Sequence, residues 1–124
     1  MNAKRKKKAS SRKTKESHYK VTDQRRSVHV KLPAAVREGF RKRSELKDVW
    51  QTELWDEAAQ KFLAKARIPG SVFYAHPAKG VGYAVVWIER RLMEQLKQLA
   101  KRDDVAMARV IHTALADYVA DLPK

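Results

Sequence analysis

The stretch Ser27-Val28-His29-Val30-Lys31-Leu32-Pro33 decides the fold that we expect for this chain. Polar and apolar residues alternate in it up to Leu32, which is the period-two pattern of a half-buried strand. Pro33 then ends the strand and suits the first turn of a helix, where its missing N–H group costs nothing. The stretch therefore predicts a strand with one apolar face toward the core and one polar face toward solvent, followed at once by a helix.

The apolar pattern of this stretch returns from Ala84 onward without a gap, which indicates an internal repeat. The segment Val28-His29-Val30-Lys31-Leu32 aligns with Ala84-Val85-Val86-Trp87-Ile88, and the apolar residues that follow stay in register. We predict two copies, at residues 27–66 and 83–124. The residues between them, 67–82, contain Pro and Gly turn signals and are predicted to form a linker.

Each copy is predicted to continue with two helices, because its apolar residues recur at spacings of three and four. Asp48 and Asp104 are each predicted to cap the N-terminus of the second helix of their copy. The residues predicted to be buried by the first helices are Val36, Phe40, Leu46, Leu92, Leu96 and Leu99.

A single strand leaves its backbone hydrogen-bonding groups unpaired, and a unit of about 40 residues buries too little surface to be stable alone. We therefore expect the two strands to pair antiparallel, with four helices behind one face. This predicts a mainly α fold with a two-stranded antiparallel β-ribbon, in which both copies form one compact domain. The other face of the ribbon stays free, and a two-stranded ribbon fits the major groove of DNA.

The composition favours a polyanionic partner. The 124 residues include 28 Lys and Arg against 14 Asp and Glu, a net charge of +14, which points to nucleic acid ahead of a membrane. The absence of cysteine excludes disulfides, thiolate metal sites and cysteine nucleophiles. No apolar run of membrane-spanning length and no apolar signal segment is present, so we expect a soluble, intracellular protein with no membrane partner.

Much of the positive charge lies between Met1 and Arg26, a segment with eleven basic side chains, two acidic ones and almost no apolar ones. Such a segment cannot offset the entropy of ordering, so we predict a disordered basic arm at residues 1–26. The arm would bind phosphates without base specificity; a solubility tail or a nuclear localisation signal is the alternative. Its predicted phosphate contacts are Lys4, Arg5, Lys6, Lys7, Lys8, Arg12, Lys13, Lys15, Arg25 and Arg26.

The order strand, helix, helix in two copies resembles the ribbon–helix–helix superfamily of MetJ/Arc/CopG-like repressors. The resemblance rests on the strand at residues 27–33 and on the second helix of copy two, Val105-Ala106-Met107-Ala108-Arg109-Val110-Ile111-His112-Thr113-Ala114-Leu115. Two copies in one chain are similar to the tandem members, such as the TraY-like accessory proteins of bacterial conjugation. The resemblance implies a tandem ribbon–helix–helix pseudo-dimer whose outward strand residues read bases.

The resemblance assigns base contacts to the outward strand residues and phosphate contacts to the start of the second helix. Lys31 can donate to O6 or N7 of guanine, and Ser27 and neutral His29 can donate or accept. The residues expected to point outward from the second strand are apolar, and they suit thymine methyl groups or a contact with another protein. Because Val85 and Val86 are both apolar, the reverse orientation of this strand stays open. At the start of the second helix, family members often have Ser or Thr. This chain has Asp48 and Asp104 there, and their carboxylates would repel phosphate. The implied base contacts are Ser27, His29, Lys31, Tyr83, Val85 and Trp87, and the implied phosphate contacts are Val49, Trp50, Val105 and Ala106.

Nothing in the sequence predicts catalysis or a bound cofactor. The four histidines are scattered, with no carboxylate at metal-ligand spacing, and His112 is expected to be exposed or partly buried. The segment Gly80-Val81-Gly82 precedes a strand instead of opening a helix, so it is a turn and not a phosphate loop. We therefore expect neither an enzyme nor a metal protein.

These features predict a cytoplasmic protein, associated with the nucleoid or a plasmid, that binds a specific double-stranded DNA sequence. The resemblance implies recognition of a transfer origin beside a relaxase or another DNA-processing protein, or transcriptional repression, with a second copy on an adjacent half-site. Two alternatives stay open. One is an architectural nucleic-acid-binding protein of low specificity, driven by the arm. The other is an adaptor of the partition or antitoxin type, which would bind a protein through Tyr83, Val85 and Trp87.

Overall fold

A computed structural model describes residues 24–123 of the chain. In this range two strands and four helices follow one another, which confirms a mainly helical fold with a two-stranded antiparallel sheet. The predicted arm contacts from Lys4 to Lys15 lie outside the described residues. The elements are β1 (Arg25–Lys31), α1 (Ala34–Lys47), α2 (Gln51–Lys65), β2 (Tyr83–Glu89), α3 (Arg90–Asp103) and α4 (Met107–Ala120).

The two strands pair along their whole length, and this pairing fixes which residues lie opposite each other. Arg25 pairs with Glu89 at one end and Lys31 pairs with Tyr83 at the other, while His29 faces Val85 in the middle. Pairing satisfies the backbone donors and acceptors along the edge of each strand that faces the other strand. The ribbon therefore forms from two segments that are separated in the chain by two helices and the predicted linker.

The core lies between the inner face of the ribbon and the four helices. Each second helix packs against the strand of the other half: α2 contacts β2 and α4 contacts β1, and α2 and α4 contact each other. This crossed arrangement gives the two halves a shared core, because the apolar face of each strand is covered from the other half of the chain. The largest fully buried side chains include Val30, Leu32, Phe40, Leu54, Val86, Ile88, Leu96, Ile111 and Leu115.

The bounds of the helices repeat at the spacing found in the sequence. Ala34 and Arg90, which begin α1 and α3, are equivalent positions of the repeat, as are Gln51 and Met107, which begin α2 and α4. Buried residues of the first helices include Val36, Phe40, Leu96 and Leu99, as predicted. The prediction is wrong for Leu46, which is 77% exposed near the end of α1. Leu92, also predicted to be buried, is only partly buried.

The prediction that Asp48 and Asp104 cap the second helices is wrong. Both residues end the preceding helix in the left-handed conformation, with φ of 57° and 55°. The backbone N–H of Asp48 donates to the carbonyl of Ser44, which closes α1. Asp tolerates this conformation better than most residues, and a left-handed residue is a common helix end. The second helices begin further along the chain, after Trp50 and Ala106.

The segment predicted as a linker, 67–82, is attached to the helices at its centre. The Tyr74 ring is buried, lies edge-on to Phe62 with ring centroids 5.9 Å apart, and its hydroxyl donates to Asp103. Burial raises the pKa of Tyr74 to about 12, and the contact with Asp103 acts in the same direction. The hydrogen bond from Arg102 lowers the pKa of Asp103. These contacts anchor the segment to the helices at Tyr74.

Candidate nucleic-acid interface

Six side chains lie on the face of the ribbon that the helices leave uncovered, and we call this set the outer ribbon face. Alternation along each strand sends Val30 and Val86 into the core and their neighbours outward. On β2 the exposed fractions are 65% for Tyr83, 44% for Val85 and 37% for Trp87. The outer ribbon face comprises Ser27, His29, Lys31, Tyr83, Val85 and Trp87. All six base contacts implied by the resemblance therefore lie together.

Within the outer ribbon face, the pairing sets each residue of β1 opposite an apolar or aromatic residue of β2. Lys31 lies opposite Tyr83, and its ammonium nitrogen is 5.5 Å from the centroid of the Tyr83 ring. This distance permits a cation–π contact. Lys31 is half-buried, whereas Ser27 and His29 are exposed. The one cationic group of this face therefore lies against an aromatic ring at one end of the ribbon.

His112 is buried, contrary to the expectation of an exposed or partly buried residue, with a relative exposure of 4%. Its Nδ1 lies 2.9 Å from the backbone oxygen of Lys31. A carbonyl oxygen only accepts, so Nδ1 carries the hydrogen and donates. The polar ring satisfies a backbone group at the edge of the core, which is why a histidine is tolerated on an apolar helix face. Helix α4 thereby supports β1 directly behind Lys31.

Arg25 and Asp56 form the corresponding link on the other side of the ribbon. The Arg25 guanidinium donates to both carboxylate oxygens of Asp56, at 3.1 and 2.8 Å, and its side chain is 9% exposed. Asp56 also accepts the backbone N–H of Glu89 at 3.1 Å. Arg25 is therefore part of β1 and faces a carboxylate. The predicted arm boundary after Arg26 lies too far along the chain, because the strand already begins at Arg25.

The starts of α2 and α4, where the resemblance implies phosphate contacts, differ in their local charge. Trp50 donates its backbone N–H to the Glu53 carboxylate at 3.4 Å, so an acidic group lies at the first turn of α2. The first turn of α4 contains no acidic residue and follows Ala106, which provides no side-chain cap. The positive end of a helix dipole attracts anions. Of the implied phosphate contacts Val49, Trp50, Val105 and Ala106, the pair at α4 has the more favourable surroundings.

The basic segment at residues 1–23 joins the ribbon at a defined point. Gln24 accepts the backbone N–H of Arg90 at 2.8 Å, so the chain enters β1 beside the first turn of α3. Arg26, Arg90 and Arg91 are exposed around this point. The attached segment contains nine Lys and Arg against two acidic residues. Among the described residues, three exposed arginines therefore lie near the end of the ribbon that carries Ser27 and Trp87.

Among residues 24–123 no group of three or more His, Cys, Asp or Glu side chains is placed to hold a metal ion. None of the helices described above is long and apolar enough to cross a membrane.

Sequence reasoning identified the outer ribbon face and missed the residues behind it. Asp56 and His112 occupy equivalent positions of the repeat in α2 and α4, and each reaches the backbone of a strand from the other half. A polar residue within an otherwise apolar helix face was the available signal. That signal could indicate a buried polar contact, but it could not identify the partner atom.

Comparison of the chain with models of known families, with curated proteins and with solved structures finds no match. A functional proposal for this chain therefore rests on its own sequence pattern, geometry and charge.

Proposed function

We propose that this chain binds double-stranded DNA at specific sequences by inserting its two-stranded ribbon into the major groove. One observation carries the proposal: six side chains project from the uncovered face of the ribbon, while helices fill the other face. The major groove admits a two-stranded ribbon and displays a different donor and acceptor pattern for each base pair. Residues that point outward from such a ribbon can therefore reach base edges.

The proposed architecture is a tandem ribbon–helix–helix pseudo-dimer within one chain. His29 and Val85 support it, because they are equivalent positions of the repeat and also lie opposite each other at the centre of the ribbon. A local two-fold axis through this pair would exchange the two copies. The crossed contacts of α2 with β2 and of α4 with β1 agree with such an exchange. The proposed domain is formed by residues 27–66 and 83–124, with 67–82 as the connection.

The charge of the chain supports a nucleic-acid partner over a neutral one. Its net charge is +14, and residues 1–23, which precede β1 in the sequence, contribute +7 of this. Each cation that neutralises a phosphate releases a counterion and adds affinity without base preference. We propose that the ribbon selects the sequence while these residues, together with Arg26, contact phosphates. Arg25 is removed from the proposed phosphate contacts because it is paired with Asp56.

The resemblance to tandem ribbon–helix–helix proteins leads to a proposed biological role. The protein would act in the cytoplasm on a plasmid or another mobile element, either at a transfer origin beside a relaxase or as a transcriptional repressor. A second copy would bind an adjacent half-site. No catalytic role and no cofactor is part of this proposal. A fold alone does not determine function, and the outer ribbon face is the feature that supports the role proposed here.

A protein-interaction role is the second candidate, and the exposed apolar half of the ribbon favours it. Tyr83, Val85 and Trp87 expose a continuous apolar strip on β2, and such strips often mark protein contacts. An adaptor would lose its partner on Trp87→Ala while its affinity for DNA stayed unchanged. A DNA reader would lose sequence preference instead.

The test is selection of binding sites from a random duplex library at about 150 mM salt, where phosphate contacts alone discriminate poorly. The wild-type chain is expected to enrich a short motif, and Lys31→Ala is expected to blur one or two positions of it. Lys97→Ala is the matched control, because it removes the same charge from an exposed position of α3, outside the outer ribbon face. Enrichment of no motif by the wild-type chain would favour the architectural alternative.

A further inference from the structure

The two ends of the outer ribbon face differ in chemistry. At one end Lys31 lies opposite Tyr83, and at the other end Ser27 lies opposite Trp87. A homodimer would present the same pair at both ends, because its two-fold axis exchanges them. Here the equivalent residues are Ser27 and Tyr83, and Lys31 and Trp87, so the repeat preserves the positions and changes the chemistry.

The end with Lys31 and Tyr83 presents hydrogen-bonding groups. An ammonium group has three donors and no acceptor, so Lys31 selects base edges with exposed acceptors. In the major groove O6 and N7 of guanine provide two such acceptors side by side. The contact between the Lys31 nitrogen and the Tyr83 ring limits where the ammonium group can go. This end therefore favours a G·C pair.

The end with Ser27 and Trp87 presents mainly apolar surface. The indole has one donor and no acceptor, and the remainder of its exposed surface is apolar. In the major groove the methyl group of thymine is the apolar feature of the base pairs. The Ser27 hydroxyl can donate or accept and adds little discrimination. This end therefore favours an A·T pair.

The distance between the two ends follows from strand geometry. Residues 27 and 31 are four positions apart, and a strand rises about 3.3 Å per residue, which separates the ends by about 13 Å. Base pairs follow each other at about 3.4 Å along the duplex. The two contacts should therefore lie about four base pairs apart, with His29 and Val85 over the pairs between them.

We infer that the chain binds its DNA site in a single orientation, with Lys31 and Tyr83 on a G·C pair and Trp87 on an A·T pair about four base pairs away. The inference rests on the proposed function. It adds that the site is not palindromic and that the two strands of the ribbon have different base preferences. A tandem chain makes this possible, because its two copies can change independently whereas the subunits of a homodimer cannot.

The first experiment repeats the selection of binding sites with Lys31→Ala and with Trp87→Ala. Lys31→Ala is expected to reduce preference at the guanine position by roughly 5- to 150-fold and to leave the A·T position intact. Trp87→Ala is expected to do the reverse. Blurring of the same positions by both variants would overturn the inference.

The second experiment makes the two strand faces identical. The triple variant Tyr83→Ser, Val85→His, Trp87→Lys gives β2 the outward residues of β1, and all three positions are exposed. Its selected motif is expected to become palindromic, with guanine in both halves. Gln98→Lys is the control, because it adds a positive charge at an exposed position of α3 and should leave the motif unchanged.

The outcomes separate the inference from the proposed function. A wild-type motif that is palindromic within the span of one ribbon would overturn the single orientation and leave DNA reading intact. A wild-type chain that selects no motif would overturn both. Thermal unfolding of each variant shows whether it is folded. The single substitutions keep the inference testable if the triple variant is not.

Discussion

His112 donates a hydrogen bond from Nδ1 to the backbone oxygen of Lys31, across 2.9 Å and from within the core. The residue with the only cationic side chain on the outer ribbon face is thus held from behind by α4. On the other side Asp56, its equivalent in α2, accepts from the backbone N–H of Glu89 at 3.1 Å. The second helices therefore fix both strands through backbone contacts at equivalent positions, with opposite hydrogen-bonding roles.

Replacing His112 by leucine should destabilise the fold. The substitution puts an apolar side chain of similar size in place of the imidazole and leaves the carbonyl of Lys31 without its donor, which costs about 1–3 kcal/mol in a buried site. Urea unfolding measures the free-energy difference. His112→Asn should recover part of the loss, because its amide N–H can donate from nearly the same place. Equal stability of wild type and His112→Leu would show that the contact contributes nothing.

Asp56→Ala should destabilise more strongly, because it leaves the largely buried guanidinium of Arg25 without its anion. Removing one partner of a buried ion pair typically costs about 3–5 kcal/mol, and the partial exposure of Asp56 places the expected loss at the lower end. Glu38→Gln is the control: Glu38 pairs with Arg41 on an exposed helix surface, where solvent screens the pair and little change in stability is expected. Thermal or urea unfolding of both variants tests the difference. Similar effects would contradict a structural role for the Arg25–Asp56 pair.

Deletion of residues 1–23 should weaken DNA binding without changing the preferred sequence. These residues carry nine basic side chains, and each one that neutralises a phosphate adds about 0.9 to the slope of log K against log salt. Binding titrations of the selected duplex at several salt concentrations measure this slope. The shortened chain is expected to show a shallower slope and the same motif. Loss of the motif together with the affinity would favour the architectural alternative.

Tyr74 should make the stability of the fold depend on pH in the alkaline range. Its pKa is raised from 10.0 to about 12 by burial and by Asp103, so the folded state favours the neutral phenol. The stabilisation is complete below pH 10 and is lost as the pH rises through about 12. The melting temperature of wild type should therefore fall more steeply across this alkaline range than that of Tyr74→Phe. Tyr83→Phe, which alters an exposed ring, should follow the wild-type curve.

Strand and helix content were predictable because they depend on local patterns. The alternation from Ser27 to Leu32 identified β1, and Val30 and Leu32 are indeed buried. The order of the elements followed from the repeat. The outward direction of Tyr83, Val85 and Trp87 was also predicted correctly, although Val85 and Val86 are both apolar. The alignment of these three residues with Ser27, His29 and Lys31 in the repeat is what predicted this direction.

The errors concern residues whose role depends on distant contacts or on the exact helix end. Asp48 and Asp104 were predicted as helix starts because Asp favours that position, but the chain uses them to end the preceding helices. Leu46 fitted the spacing of a buried face and is exposed at the end of α1. The burial of His112 depends on the carbonyl of Lys31 in the other half of the chain, which no local pattern contains.

The central claim is that the ribbon reads bases from the major groove, and methylation interference on the selected duplex tests it most directly. Dimethyl sulfate modifies N7 of guanine, which lies in the major groove, and N3 of adenine, which lies in the minor groove. Methylated guanines within the motif should be depleted from the bound DNA, whereas methylated adenines there should be retained. Depletion of the adenines alone, or of neither base, would contradict binding by the ribbon in the major groove.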